Sequence, residues 1–225
     1  MYFDPTILIL LPALLFALWA QSRVKSTYAR YSKEFAGLTG AEAARMVLEM
    51  NGVNDVKIEQ VSGELTDHYD PRTNTIRLSQ GVCNVTSVAA VGVAAHEAGH
   101  AVQYAKGYGP IKVRTAIIPV TNIGSTLSWP LLLLGIILGN QTLAMAGVLL
   151  FAVVVFFQLV TLPVEFNASN RALDTLSASG YLQPEQLNGA GKVLRAAAMT
   201  YVAALAQGIA QLLRLLLIAN RSRRD

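Results

Sequence analysis

The sequence predicts an α-helical integral membrane protein that carries a small soluble α+β domain. Three observations carry this reading. Hydrophobic residues make up 53% of the 225 and charged residues 14%, roughly half the charged share of an ordinary soluble domain. No Asp, Glu, Lys, Arg or His occurs between Arg114 and Glu165, a charge-free run long enough for a membrane hairpin. The charges that remain gather mainly from Gln21 to Arg114, where apolar periodicity and turn signals are those of a folded soluble segment.

The first element is the apolar run "PTILILLPALLFALWA", residues 5 to 20, with Trp19 near one interface. It falls just short of the roughly 20 residues that cross a bilayer and extends over its flanks. A cleaved signal peptide would carry its basic region ahead of the apolar one. Here Asp4 precedes it and Arg23, Lys25, Arg30 and Lys33 follow. Residues 1–21 are therefore expected to be a retained anchor, with the amino terminus outside and the next segment in the cytoplasm.

Residues 22–115 form the expected soluble part. In "TGAEAARMVLEMNGV", Thr39 is an N-cap and Glu42 completes a capping box. Ala43, Met46, Val47 and Met50 share a face, and Asn51-Gly52 stops the helix. "VKIEQV" alternates like a strand, and "NTIRLS" reads as a strand after a turn punctuated by Pro71 and Asn74. "NVTSVAAVGVAAHEAGHAVQYAKG" is a long helix, capped by Asn84 or Thr86 and stopped near Gly107.

Residues 116–163 are the expected hairpin, one span near 117–138 and another near 143–162, joined at "GNQT". Residues 164–198 should hold a helix starting after Pro163 and a connecting segment, and residues 199–225 a final apolar helix with the basic tail "RSRRD". Gln207, Gln211 and Arg214 line one face of that last helix. A central arginine costs about 3 kcal/mol on the insertion scale, against about 0.3 to 0.6 returned by each strong apolar residue, so insertion is marginal. Either the polar stripe packs inside a bundle of four spans, or the helix lies in the interface.

The net charge of +4 with a basic tail suits anionic lipid headgroups, and the chain has no basic stripe with interleaved aromatics, so no nucleic-acid partner is expected. The lone Cys83 excludes an intrachain disulfide and a multi-cysteine metal site. Asn84, Asn140 and Asn167 head glycosylation sequons, read as accidental in a chain that faces the cytoplasm. There is no internal repeat and no low-complexity segment.

The chemistry concentrates in "VAAHEAGHAVQYAKG", residues 93 to 107, which holds two of the three histidines. On a helix His96 and His100 lie about 40° apart and one turn up, so both imidazoles reach one ion. Glu97, about 60° around from His100, stands beside that ion without ligating it, where it can take a proton from water. HExxH on a helix is the zinc-protease signature. Packing alone explains the glutamate poorly, because an unpaired buried carboxylate costs several kcal/mol. A catalytic zinc needs a third protein ligand. His68, in "LTDHYDPRTN", is one candidate; Glu165, the first charge after the hairpin in "LPVEFNASNRAL", is the stronger one.

The order "TNTIRLSQGVCNVTSVAAVGVAAHEAGHAVQ", membrane hairpin, "EFNASNRAL" resembles the YugP-like neutral zinc metallopeptidases, and more distantly the HtpX-like and CAAX-prenyl-protease families. The likeness runs in order over almost the whole chain. It implies a zincin-like domain of the gluzincin type, with one Zn2+ per chain held by His96, His100 and Glu165, and Glu97 as general base and acid. In the distant relatives an aspartate four residues after the ligand glutamate orients a zinc histidine. Ser169 stands there in this chain, so Ser169, Asn170 or Asp174 are candidates for that task. "NTIRLS" is expected to be an exposed edge strand that pairs with extended substrate, and His68, Tyr69 and Arg171 are candidates to stabilise an oxyanion.

The function expected is that of a multi-pass, zinc-dependent endopeptidase of the cell membrane. Its active site would face the cytoplasm, act on membrane-proximal or misfolded proteins, and have the lipid bilayer as its other partner. The alternatives are a non-catalytic metal-binding membrane scaffold, with His68 closing a four-ligand site, and a membrane zinc hydrolase of another class.

Overall fold

The computed structural model describes residues 5–221. Asp4 and the last four residues of the basic tail lie outside the described residues. A short 3-10 stretch, Pro5–Leu10, leads into α1 (Leu11–Tyr31). There follow α2 (Gly40–Met50), β1 (Lys57–Val61), β2 (His68–Asp70), β3 (Thr75–Ser79), the short α3 (Gln80–Cys83) and α4 (Val88–Ala105). Three long helices complete the chain: α5 (Gly109–Ile137), α6 (Gln141–Ser179) and α7 (Pro184–Arg221).

Among the described residues, four helical segments are long and apolar enough to cross a membrane: Thr6–Tyr31, Gly109–Ile137, Gln141–Ser179 and Pro184–Asn220. The chain clusters into two compact units. One comprises residues 1–20, 113–162 and 200–225, the other residues 21–112 and 163–199.

In the first unit, Leu132, Ala144, Val148, Leu215 and Ala219 form a buried cluster. Close helix approach there depends on missing side chains: a Cβ on Gly135 would strike the backbone of Ala144, and one on Gly147 the backbone of Ser128 and Leu132. The turn between α5 and α6 forms at Leu138–Asn140, with Gly139 at φ +63° and the Asn140 side chain capping the Leu143 amide. Pro119, Pro130 and Pro163 all lie inside helices. The polar stripe of α7 is half-buried, with Gln211 Nε2 and Arg214 Nε themselves buried, and Gln158 of α6 packs on the neighbouring Gly208.

The second unit wraps α2 and a three-stranded sheet around α4. Its core is built from Val47 and Leu48 of α2, Ile76 and Leu78 of β3, and Val88, Val91, Ala94, Ala95, Ala98 and Val102 of α4. The Thr39–Glu42 capping box forms as expected, and Asn51 with Gly52 ends α2. α4 departs from expectation at its start: Ser87 caps it through the Ala90 amide, rather than Asn84 or Thr86. Bonds from Ala36 to Thr86 and from Val88 to Glu34 fix the entering chain at that point. The stop near Gly107, at φ +64°, forms as expected.

The sheet order is β1-β3-β2, with β1 parallel and β2 antiparallel to β3. This corrects the expectation for "NTIRLS". β3 is the central strand, paired on both sides, with Thr75, Ile76, Leu78 and Ser79 all buried. The edges belong to β1 and to the three-residue β2. The segment after Pro163 also differs: α6 runs without a break from Gln141 to Ser179, so Glu165 lies inside a helix and not at its start.

Candidate metal centre

α4 is apolar on nearly every side, and its buried faces are mostly alanine, glycine and valine. Small residues let a neighbouring helix approach closely, and Gly99 marks the point of contact. A Cβ there would run into the backbone carbonyl of Ala168 on α6. Since Ala168 is three residues past Glu165, this approach sets the glutamate against the two histidines.

His96 Nε2 lies 3.3 Å from Glu165 Oε2, and His100 Nε2 lies 3.5 Å from the same oxygen. The three side chains form one group whose ligand atoms all fall within 4.8 Å of one another. Glu165 is 2% exposed and His100 9%. Burial alone would lower the His100 pKa, but the Glu165 carboxylate and the charge of Glu97 outweigh it and hold that imidazole above its ordinary value.

The donor set fits zinc. Zinc–ligand bonds of about 2.0 to 2.1 Å at a tetrahedral angle put donor atoms about 3.4 Å apart, which matches the two nitrogen–oxygen distances. A zinc held by two neutral imidazoles and one carboxylate would keep a fourth position for water or substrate.

Each histidine uses its other nitrogen within the unit. His96 Nδ1 is 3.0 Å from Ser169 Oγ, and His100 Nδ1 is 3.0 Å from Gln103 Oε1. Ser169 lies one turn after Glu165 on the same face of α6 and is buried, whereas Asn170 and Asp174 point away and are exposed. Sequence reasoning passed over Gln103 and Asn167. Gln103 is fully buried, donates through Nε2 to the Val164 carbonyl at 2.7 Å and to Asn167 Oδ1 at 3.0 Å, and Arg171 Nε donates to the same Asn167 oxygen at 2.8 Å. The available signal was one amide three residues after His100 in an otherwise apolar helix.

Of the remaining candidates, His68 and Tyr69 lie on β2 and Arg171 lies on α6. His68 is exposed and its Nδ1 is 2.7 Å from the Thr66 carbonyl; it is not a member of the three-residue group. Tyr69 donates its hydroxyl to Asn74 and packs its ring 5.5 Å from that of Tyr104 on α4. Burial, and next the neighbouring Tyr104, push the Tyr69 phenol up to about 12. Arg171 stacks over the Tyr108 ring at 5.9 Å. A separate cavity of about 870 Å³, lined by Leu38, Met46, Met50, Cys83 and Tyr181 among others, contains none of the three grouped residues.

Comparison with known proteins points the same way as the site. Residues 6–220 match the family described as "putative neutral zinc metallopeptidase". The chain is 47% identical over 214 residues to the "putative membrane protease YugP" of Bacillus subtilis (strain 168), a match that covers 94% of this chain and 95% of that protein. No solved structure matches it.

Proposed function

Because the chain belongs to the neutral zinc metallopeptidase family, we propose that it is a multi-pass membrane endopeptidase. In this reading Nε2 of His96, Nε2 of His100 and a carboxylate oxygen of Glu165 hold one zinc ion, and Glu97 is its general base and acid. The observation that carries the reading is the convergence of those three donors from α4 and α6.

Zinc, when bound, supplies Lewis acidity that polarises a peptide carbonyl and makes water a nucleophile near neutral pH. The chain supplies the rest. Glu97 follows His96 on α4, close enough for its charge to act on His100. Its carboxylate takes a proton from the attacking water and returns it to the leaving amide nitrogen. The buried alanine and valine side chains around the histidines limit bulk water, so these charges act in a medium of low dielectric.

Extended substrate is held by main-chain pairing on a free sheet edge. With β3 central the edges are β1 and β2, and we assign the role to β2 because its Tyr69 packs against Tyr104, one turn beyond His100. Glu165 follows directly on the charge-free part of α6, which supports substrates at or near the membrane surface, among them misfolded membrane proteins. The basic residues Arg23, Lys25, Arg30 and Lys33 after the first apolar run support a cytoplasmic site in the cell membrane.

The test is metal analysis and proteolysis on detergent-purified protein. Wild type and His68→Ala should each carry about one zinc per chain and cleave an unfolded protein such as casein. Glu165→Ala should lose both metal and cleavage. Zinc retained in Glu165→Ala, or lost in His68→Ala, would overturn the ligand assignment.

A further inference from the structure

The two histidines of the metal centre have different kinds of partner. Ser169, beside His96, carries a hydroxyl that can either donate or accept, so it does not by itself decide which ring nitrogen holds the proton. The partner of His100 is a side-chain amide whose orientation other groups dictate.

That dictation begins at Arg171. A guanidinium only donates, so the Asn167 atom it meets at 2.8 Å is the amide oxygen. This oxygen also receives Gln103 at 3.0 Å, and the backbone carbonyl of Val164 receives Gln103 at 2.7 Å. Both partners accept, so the Gln103 atom between them is its NH2 group. The Gln103 oxygen therefore faces His100 Nδ1 at 3.0 Å. An oxygen there requires the proton on Nδ1 and leaves the Nε2 lone pair pointing at the Glu165 side of the site.

We infer that Gln103 is a positioning residue for the metal centre: the chain Arg171–Asn167–Gln103 fixes His100 in its ligating tautomer and ties that histidine to α6 beside Glu165. The anchor on α6 is the carbonyl of Val164, the residue next to Glu165. One fully buried side chain thus couples the orientation of a ligand on α4 to the backbone that carries a ligand on α6. This inference rests on the reading of His96, His100 and Glu165 as zinc ligands.

Zinc affinity, measured by competition with a chromogenic chelator on detergent-purified full-length protein, tests the inference alongside thermal melting of the zinc-free protein. Gln103→Leu fills a similar volume but offers no acceptor, and should weaken zinc binding by about 10- to 100-fold. Asn167→Asp keeps an oxygen that accepts from both Gln103 and Arg171 and should stay within about threefold of wild type, on the same tenfold scale of outer-shell effects. Val102→Ala, a neighbouring buried residue with no polar contact, should lower the melting temperature without changing zinc affinity. Gln103→Leu binding zinc as wild type does, or losing affinity only as much as Val102→Ala at equal loss of stability, would overturn the inference. If Gln103→Leu fails to fold, Asn167→Leu against Asn167→Asp decides: the leucine removes the oxygen that orients the Gln103 amide, and equal zinc affinity in the two variants contradicts the proposed chain. His100→Ala separates this failure from that of the underlying reading: zinc lost there but kept in Gln103→Leu rejects only the role of Gln103, whereas zinc kept in His100→Ala rejects the site itself.

Discussion

His96 Nδ1 lies 3.0 Å from the hydroxyl of Ser169, the residue one helical turn beyond Glu165 on α6. Four residues on a helix return to the same face, so a single turn of α6 presents a carboxylate to Nε2 and a hydroxyl to Nδ1 of the same imidazole. A neutral hydroxyl is a weaker acceptor than a carboxylate. Ser169→Ala should therefore weaken zinc binding by about tenfold, the low end for the loss of a partner behind a metal ligand. Ser169→Asp should bind zinc at least as tightly as wild type. Chelator competition on the purified variants measures both, and an alanine variant with unchanged affinity would remove the hydroxyl from the site's support.

Glu97 is not in the group formed by His96, His100 and Glu165, so the proposed function separates metal binding from proton transfer. Glu97→Gln keeps size and hydrogen bonding but cannot accept a proton. Zinc content should stay at the wild-type level, while cleavage of an unfolded substrate should fall by a factor of about 10² to 10⁴ or more, the range for loss of a positioned acid–base group. A fully active glutamine variant would be incompatible with the proposed role.

What could be read from the sequence was whatever local chemistry decides. The Thr39–Glu42 capping box depends on residues close in sequence and forms as expected; the helices over the charge-free run from 115 to 164 are long and apolar enough to cross a membrane, and His96 and His100, one turn apart, stand in one group with Glu165. The misreadings arise where tertiary pairing decides. The turn residues of "DHYDPRTN" outweighed the three-residue β2, and without β2 the central strand β3 looked like an edge. Pro163 looked like a helix start because a proline ring fits the first turn, yet α6 passes through it. Gln103 offered only its place three residues after His100 as a signal, because its partners Val164 and Asn167 are more than sixty positions away.

The β2–β3 turn makes a prediction about acid. Asp70 accepts from Arg77 Nη1 at 3.0 Å, from the Arg72 amide at 3.0 Å and from Thr73 at 3.0 Å. The Arg77 hydrogen bond above all, and next the Arg72 amide, hold its carboxyl well below the usual carboxylate range. A pKa lower in the folded than in the unfolded state adds stability above the unfolded value of about 3.9, and that stability fades as pH falls toward the folded value. Asp70→Asn should thus melt at a lower temperature than wild type at pH 7, with the gap closing steadily below about pH 4. A gap of constant size across that range would assign the effect to packing instead of charge.

Gly99, inside the HEAGH stretch, is where α4 and α6 meet most tightly, and its substitution tests whether helix spacing sets the metal site. Two effects oppose each other in Gly99→Ala. Replacing a mid-helix glycine gains about 1 kcal/mol of helix propensity. The added Cβ, however, collides with the carbonyl, carbonyl carbon and Cα of Ala168, all backbone atoms that cannot rotate aside. Overpacking of this kind costs about 1 to 3 kcal/mol even where side chains yield, so the collision should win and α6 must move away from α4. Because Glu165 is carried on α6 and both histidines on α4, the same displacement lengthens the 3.3 and 3.5 Å approaches that bring the donors together. Gly99→Ala should therefore lower the melting temperature of the zinc-free protein and also reduce zinc affinity. Gly92→Ala is the control on the same helix, since its Cβ would meet Ala190 at an ordinary 3.5 Å. That variant should gain the propensity term and leave zinc binding unchanged. Equal zinc affinity in both variants would mean that the spacing at Gly99 does not govern the site.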